Sequence, residues 1–297
     1  MYKTCLNNLS CSDSLIQYLL ILQDSEIKTA KLTRRAKNTD IFYKIYNFFI
    51  MRLALLLEYK GTNYHGWQKQ DGLVTVQEAV EQALSKVAAQ PIQVVCAGRT
   101  DAGVHAAGQV IHFDTKVERS MRAWVFGGNS YLPQDIRLQL VKPVEETFHA
   151  RFSALARSYR YLIYNHEVPS ALLHKRATFY PHFLNVDLMQ EAAQYLLGEH
   201  DFSAFRGSSC QAHNPLRNVM QLQVRREGQM VIIDITANAF LQHMVRNIAG
   251  VLLEIGVGKR LPLWAQDVLV AQNRTLAGVT ASAQGLYLMH VQYADVF

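Results

Sequence analysis

The chain has 297 residues, of which 49% are hydrophobic and 18% charged, so it can form one large or two modest globular domains and is not disordered throughout. Its net charge of +6 favours an acidic partner such as nucleic acid, but residues 1–50 supply half of that charge, with seven basic against four acidic side chains. A nucleic-acid function therefore has to be argued from a site.

Residues 1–50 differ from the rest of the sequence because they contain no glycine, proline or histidine. We expect an N-terminal extension that is disordered or lies upstream of the true translation start at Met51; an accessory arm is the alternative. The apolar stretch Leu15–Leu22 is interrupted by Gln17 and lacks a small-residue cleavage site, so no secretory signal is expected. The apolar stretch 45–59 contains Asn47 and Arg52 and is too short to span a bilayer, so no membrane segment is expected. Four cysteines without a C-x-x-C pair favour a reducing, cytoplasmic location.

The first half of the remaining chain, residues 51–150, has the pattern of strand, helix, strand and strand. Thr75 and Glu78 have the spacing of a capping box, which predicts that a helix begins after Thr75. A glycine-rich loop, Gly98–Gly108, is expected between the last two strands. The predicted elements are Leu53–Tyr59, the helix Val76–Ala89, Ile92–Ala97 and Gln109–Asp114.

The second half, residues 151–297, has a similar succession. Asp187 is expected to begin an amphipathic helix, and Glu227 with Gly228 to form the turn of a hairpin. The simplest assembly is an α+β fold of two similar halves, each an antiparallel sheet backed by helices. The predicted strands are Arg157–Asn165, Val219–Arg226, Val231–Ala237 and Leu286–Tyr293, and the predicted helices are Asp187–Gly198, Ala239–Val257 and Leu263–Gln272.

Asp101 is the candidate functional residue of the glycine-rich loop, because it is the one acid in residues 91–113. Glycines at positions 98, 103 and 108 allow tight turns and the close approach of a ligand to the backbone. A carboxylate in such a loop is available for chemistry. Hydrogen bonding to its own turn is the alternative.

Arg246 is a candidate partner for Asp101. It has no carboxylate three or four residues away on its predicted helix, so its guanidinium needs water, a phosphate or a remote acid. A pair with Asp101 would keep the carboxylate ionised and oriented, whereas a solvated arginine at the edge of a core helix is the alternative. Arg99, two residues before Asp101, is a candidate for binding a nucleic-acid phosphate.

Tyr159 shares one face of its predicted strand with Tyr161 and Ile163, and it either packs in the core or stacks on a nucleic-acid base. Several histidines raise the question of a metal, but no acid accompanies them at ligand spacing, so no metal site is expected. These histidines are His65, His105, His112, His149 and His243.

Four longer segments resemble the TruA family of tRNA pseudouridine synthases and occur in the family's order. They are CAGRTDAGVHAAGQVIHF, FHARFSALARSYRYLIYN, GEHDFSAFR and NAFLQHMVRNIAGVLLEIG. The likeness extends from about Arg52 to the final strand and includes EYKGTNYHGWQ and GLYL. Residues 1–50 have no counterpart in the family pattern.

The resemblance implies an enzyme without a cofactor or metal that isomerises uridine to pseudouridine at positions 38, 39 and 40 of the tRNA anticodon stem and loop. It implies that Asp101 is the catalytic aspartate, that Arg246 pairs with it and that Tyr159 contacts the substrate base. It also implies a homodimer in which tRNA contacts both subunits and each active-site cleft lies between the two halves of a chain.

Two further classes of function are open on the residues themselves. One is a non-catalytic protein that binds structured RNA through the same basic and aromatic side chains. The other is a hydrolase, which ordinarily needs a second acid or a metal, and neither is visible near Asp101. For the isomerisation, the sequence leaves open whether Asp101 attacks the sugar or removes a proton.

Overall fold

One mixed sheet of ten strands runs through the part of the chain that the computed structural model describes, residues 50–294. The prediction of an N-terminal extension falls almost wholly on residues 1–49 and so lies outside this range. The strands are β1 Met51–Tyr59, β2 Val95–Cys96, β3 His105–Thr115, β4 Ile136–Val144, β5 Ala156–Asn165, β6 Thr178–Tyr180, β7 Gly198–Asp201, β8 Leu216–Glu227, β9 Met230–Ala237 and β10 Leu286–Gln292. The helices are α1 Val76–Ala88, α2 Met121–Tyr131, α3 Val186–Gln194, α4 Met244–Gly256 and α5 Trp264–Ala271.

The strand order is β4-β1-β3-β10-β5-β9-β8-β7, with β2 paired to β3 and β6 to β5. The strands of the first half pair antiparallel with one another, and so do β10, β5, β9, β8 and β7. A short parallel pairing of β3 with β10 joins the two sets, with Tyr287 opposite His105. The α+β fold is therefore confirmed. Its two halves are largely antiparallel, with a parallel pairing of β6 to β5 in the second half, and they share one continuous sheet.

The helices bury apolar residues against the sheet in each half. In α1 the buried residues Val76, Val80 and Leu84 recur every four positions and so lie on one face. Helix α2 packs on α1 and β4, while α3 packs on β8 and α4. Within the described residues, no helix is both long and apolar enough to cross a bilayer.

Local hydrogen bonds explain two differences from the predicted elements. The strand predicted over Ile92–Ala97 is reduced to β2, because the main-chain N–H groups of Ile92 and Val94 donate to side chains of α1, at 2.9 Å to Ser85 Oγ and 3.1 Å to Glu81 Oε1. These N–H groups are therefore not free for a longer strand.

The helix starts also differ in detail. Thr75 stands at the N-cap of α1 as predicted, but its hydroxyl caps nothing and is buried without a hydrogen-bond partner in the described structure. Asn185, not Asp187, caps α3, because its side-chain oxygen accepts from the N–H groups of Asp187 and Leu188.

Candidate active site

Asp101 lies in the loop 97–104, which connects β2 to β3. Gly103 in this loop has a φ of 79°, in the left-handed region that other residues avoid. Gly108 lies within β3, where a β-carbon would overlap the main-chain carbonyl of Met289 in β10. Gly103 therefore allows the chain to turn, and Gly108 allows β3 and β10 to approach each other closely.

The main chain of loop 97–104 is held by hydrogen bonds from surrounding elements. Because three of its carbonyl oxygens accept from groups outside the loop, the position of Asp101 is fixed before a ligand binds. The donors are Arg157 Nη2 to Ala97 O at 3.1 Å, Gln109 Nε2 to Gly98 O at 2.7 Å and the Trp67 N–H to Thr100 O at 3.0 Å.

Arg246 of α4 contacts Asp101 from the other half of the chain, with 3.1 Å between Nη1 and the carboxylate oxygen Oδ2. Its Nε donates to the Ala281 carbonyl at 2.8 Å, so the guanidinium is shared between the two acceptors. The Asp101 side chain is 27% exposed. The structure therefore brings together two residues 145 positions apart and leaves the carboxylate open to a ligand.

His243 is a third member of this cluster, with its Nε2 3.4 Å from the same Oδ2 of Asp101. It has a φ of 63°, in the left-handed region, and α4 begins one residue later. The predicted helical start at Ala239 is therefore wrong, because a left-handed residue cannot continue a right-handed helix. The sequence offers one signal for His243, its position three residues before Arg246. The sequence alone indicates no role for His243 beyond that of a possible metal ligand.

Tyr159 is buried beside the loop, and its ring packs edge-on against Phe240 with 5.0 Å between centroids. A β-carbon at Gly98 would lie 3.7 Å from its hydroxyl oxygen. No residue of the described structure hydrogen-bonds this hydroxyl. Burial raises the pKa of Tyr159 far above its ordinary value, and the negative charge of Asp101 acts in the same direction.

Arg99 is exposed on the loop and does not contact Asp101. Arg151 is exposed nearby, and both arginines act electrostatically on the buried Cys96, whose thiol pKa burial nonetheless raises to about 11. Two accessible guanidinium groups therefore flank the loop, and the second of them was not predicted.

Arg157 is buried next to the loop and is another residue that the sequence did not single out. Its guanidinium donates to four main-chain carbonyls: Ala97 at 3.1 Å, Arg151 at 2.5 Å, Asn238 at 2.9 Å and Ala154 at 3.3 Å. Burial lowers its pKa. It joins the Asp101 loop to the segment that leads into α4.

Three of the histidines considered as metal ligands, His105, His112 and His149, are hydrogen-bonded within the protein. His149 Nδ1 accepts from the N–H groups of Arg151 at 3.1 Å and Phe152 at 3.2 Å. His105 Nδ1 accepts from the Gly61 N–H at 3.0 Å, and its Nε2 lies 3.1 Å from the Lys175 carbonyl. His112 Nδ1 accepts from the Ala150 N–H at 3.1 Å, and burial lowers its pKa to about 4. The described residues contain no group of three or more side chains suited to hold a metal ion.

Comparison with known proteins identifies the family. The sequence model of a family described as tRNA pseudouridine synthase matches residues 56–153 and 192–294. Among curated proteins, tRNA pseudouridine synthase A of Nitrosococcus oceani is 56% identical over 247 residues, which cover 83% of this chain and 95% of that protein.

Further relatives agree with this match. The tRNA pseudouridine synthase A of Legionella pneumophila, strain Lens, is 56% identical over 247 residues, covering 83% of this chain and 94% of that protein. That of Coxiella burnetii, strain Dugway 5J108-111, is 55% identical over 246 residues, with the same two coverages. The chain therefore belongs to the tRNA pseudouridine synthases, the isomerases that convert uridine to pseudouridine in tRNA.

Proposed function

We propose that this enzyme isomerises uridines at positions 38, 39 and 40 of the tRNA anticodon stem and loop, with Asp101 as its catalytic carboxylate. The observation that carries the proposal is the geometry of that side chain. Arg246 pairs with Oδ2, while Oδ1 has no hydrogen-bond partner in the described residues. A paired but accessible carboxylate can act as a nucleophile or a base.

The reaction needs little beyond such a group. The C1′–N1 bond of uridine breaks, the uracil turns, and C1′ joins C5. The proton lost from C5 is balanced by the one that N1 gains, so the product is an isomer and no oxidant or reductant takes part. Asp101 either attacks C1′ or assists proton removal, and the proposal involves no cofactor or metal.

Side chains around Asp101 fit the handling of a nucleotide. A uridine within a helical stem has to leave its stack, at a cost of roughly a few kcal/mol, before it meets a residue in a loop. Tyr159 offers a ring and an unpaired hydroxyl to the extruded base. Arg99 and Arg151 offer exposed charges to the flanking phosphates.

The wider organisation is proposed from the resemblance. The enzyme acts as a cytoplasmic homodimer, and one tRNA contacts both subunits. The halves 51–150 and 151–297 stand on either side of the cleft. The contact of Asp101 with Arg246 supports this arrangement, since it joins a loop of one half to a helix of the other.

Tritium release tests the role of Asp101. Transcripts of tRNA that carry tritium at uridine C5 lose it to water on isomerisation. We expect release by the wild type and none above background by Asp101→Asn. Asp114→Asn is the matched control, because Asp114 also pairs with an arginine, at 2.7 Å from Arg52, but lies at the opposite end of β3 from the loop; it should release tritium at the wild-type rate.

The same assay separates the enzyme from a non-catalytic RNA-binding protein. Tight binding of tRNA without release by the wild type would favour the binding protein. The positions are tested with transcripts that retain uridine at one of the positions 38, 39 or 40 and carry cytidine at the other two. Each transcript should yield pseudouridine, and formation at another position would contradict the assignment.

A further inference from the structure

We infer that His243 is a positioning residue that holds the Asp101 carboxylate in its reactive orientation. The inference rests on the proposed role of Asp101 and concerns the same site. Its starting point is that His243 Nε2 lies 3.4 Å from Oδ2, the carboxylate oxygen that Arg246 also contacts. Two nitrogen atoms from separate side chains thus converge on one oxygen.

Arg246 does not fix the carboxylate by itself. A guanidinium that binds a carboxylate through two parallel hydrogen bonds sets both its distance and its plane. Here the Nε of Arg246 is committed to the Ala281 carbonyl, and Nη1 makes the contact with Asp101. A single contact leaves the carboxylate free to rotate, and the His243 ring supplies the second contact that restricts it.

The backbone of His243 is the second observation. Three other non-glycine residues of the described chain have a positive φ: Ala89, Lys175 and Gln272. Ala89 and Gln272 end helices, where the left-handed conformation is common. His243 instead precedes a helix, at the N-cap, where residues are ordinarily extended, and its side chain caps no N–H group. The left-handed backbone of His243 is therefore not explained by helix capping. It places the imidazole against Asp101, which is the kind of role for which strained residues are kept at functional sites.

The surroundings of the ring keep it in place. A β-carbon on Gly207 would lie only 3.0 Å from His243 Nδ1, so the glycine leaves just enough space for the imidazole. The N–H of Gly207 donates to the carbonyl of Gln242 at 2.8 Å, which ties this segment to the residue before His243. With Oδ2 held between His243 and Arg246, Oδ1 is the oxygen left for the substrate.

Four variants test the inference: His243→Gln, His243→Phe, His243→Gly and Asp101→Asn. Gln keeps an N–H donor at a similar reach, Phe keeps the ring shape without the donor, and Gly removes the side chain but tolerates the left-handed backbone. The maximal single-turnover rate of tritium release and the Kd for tRNA are measured for each, with the unfolding midpoint as a check on folding.

We expect Phe and Gly at position 243 to lower the maximal rate roughly ten- to a hundredfold while the Kd for tRNA stays within about threefold, because the defect lies in orientation and not in binding. Gln should restore most of the rate. A purely structural role predicts instead that the rate follows the folded fraction in every variant. If the Phe variant does not fold, the comparison of Gly with Gln carries the test.

A wild-type rate for His243→Phe or His243→Gly would overturn the inference, and so would a Gln variant as slow as Phe. Asp101→Asn separates this failure from that of the proposed function. If Asp101→Asn is inactive and the His243 variants are all fast, the positioning role is wrong and the catalytic aspartate stands. If Asp101→Asn is itself active, the proposed function is wrong and the positioning role falls with it.

Discussion

Tyr159 and Tyr161 lie on one face of β5 and differ in how their hydroxyl groups are satisfied. The Tyr161 hydroxyl hydrogen-bonds Thr178 Oγ1 at 2.6 Å and the Ser282 carbonyl at 2.8 Å. The hydroxyl of Tyr159 has no such partner in the described residues. The Tyr159 hydroxyl is not among the fully buried unpaired atoms of the described residues, so it keeps some exposure beside the Asp101 loop and can hydrogen-bond a substrate. The sequence placed both residues on one face but could not separate them.

Replacing Tyr159 by Phe tests whether its hydroxyl acts as a neutral donor. Burial holds the pKa of Tyr159 far above its usual range, so the phenol stays protonated between about pH 6 and 9. We expect Tyr159→Phe to lower the maximal rate of pseudouridine formation at least about tenfold, which corresponds to the loss of one hydrogen bond, and by the same factor throughout that pH range.

The control is Tyr161→Phe, whose hydroxyl is satisfied within the protein. It should lower the free energy of unfolding and leave the rate per folded molecule within about twofold of the wild type. A Tyr159→Phe defect that grows steeply with pH would show that the phenolate takes part, and would contradict the neutral-donor role.

Loop 97–104 places Asp101 with the help of Gly103, whose left-handed conformation other residues adopt only at a cost. Gly103→Ala should lower the free energy of unfolding by about 1–2 kcal/mol, the cost of a left-handed alanine. It should also lower the rate of tritium release, because the loop will relax away from this strain. Urea denaturation gives the first quantity and the release assay the second.

Gly98→Ala is the matched variant in the same loop. Residue 98 has no positive φ, and its β-carbon would make an ordinary 3.7 Å contact with the Tyr159 hydroxyl. The free energy of unfolding should therefore change by less than about 0.5 kcal/mol. Equal destabilisation by the two substitutions would show that strain at Gly103 does not shape the loop.

Arg157 tests how the loop is anchored to the second half. Arg157→Met removes a buried guanidinium and leaves four carbonyl oxygens without their donor. We expect a loss of about 3 kcal/mol in the free energy of unfolding, measured by urea denaturation, because the donor is charged and its hydrogen bonds are buried at Ala97 and part-buried at the other three carbonyls.

The control for Arg157 lies three residues along the same strand. Arg160 pairs with Asp234, which also contacts Arg225, and its side chain is 37% exposed. Arg160→Met should therefore cost less than about 1 kcal/mol. A larger effect for Arg160→Met than for Arg157→Met would contradict the anchoring role.

The buried His112 makes the free energy of unfolding of the whole protein depend on pH. The pKa of His112 is lowered from its ordinary 6.5 to about 4, because the ring is buried and Arg52 adds positive charge. As the pH falls below about 6.5, the unfolded chain therefore binds a proton that the folded chain excludes. The free energy of unfolding should fall progressively towards pH 4, and this histidine contributes no pH dependence above its ordinary pKa.

His112→Gln should flatten this part of the curve of unfolding free energy against pH, since glutamine does not titrate. An unchanged slope for His112→Gln would show that His112 accepts a proton equally well in the folded and unfolded protein.

Several parts of the fold were predictable because their signals are local. Alternating or continuous apolar runs indicated β1, β5, β8, β9 and β10 to within a few residues, and the capping-box spacing of Thr75 and Glu78 indicated where α1 begins. Helix α2 was not predicted, since its sequence contains Gly127 and Gly128, which lower helix propensity. Gly128 is accounted for by packing, because a β-carbon there would press against Leu138 of β4. That reason is visible only in the fold.

Some residues of the candidate site could also be predicted from the sequence, and others could not. Asp101 and Arg246 could be nominated because Asp101 is the one acid in residues 91–113 and Arg246 has no carboxylate three or four residues away, although only the fold brings them to 3.1 Å. His243 lies three residues before Arg246 and so on the same face of the predicted helix Ala239–Val257, but this spacing alone did not indicate that its ring contacts Asp101. Its left-handed backbone could not be predicted from the sequence. Arg157 could not be predicted either, because two of its four acceptors, Ala97 and Asn238, belong to distant main-chain segments.

The most direct test of the account is a single-turnover reaction with enzyme in excess over unmodified tRNA, followed by digestion of the RNA and chromatography of its nucleosides. Wild-type protein should convert uridine to pseudouridine. Asp101→Asn should bind the tRNA with a Kd within about threefold of the wild type and form no pseudouridine. Conversion by Asp101→Asn at more than about a tenth of the wild-type rate would contradict the claim that this carboxylate carries out the chemistry.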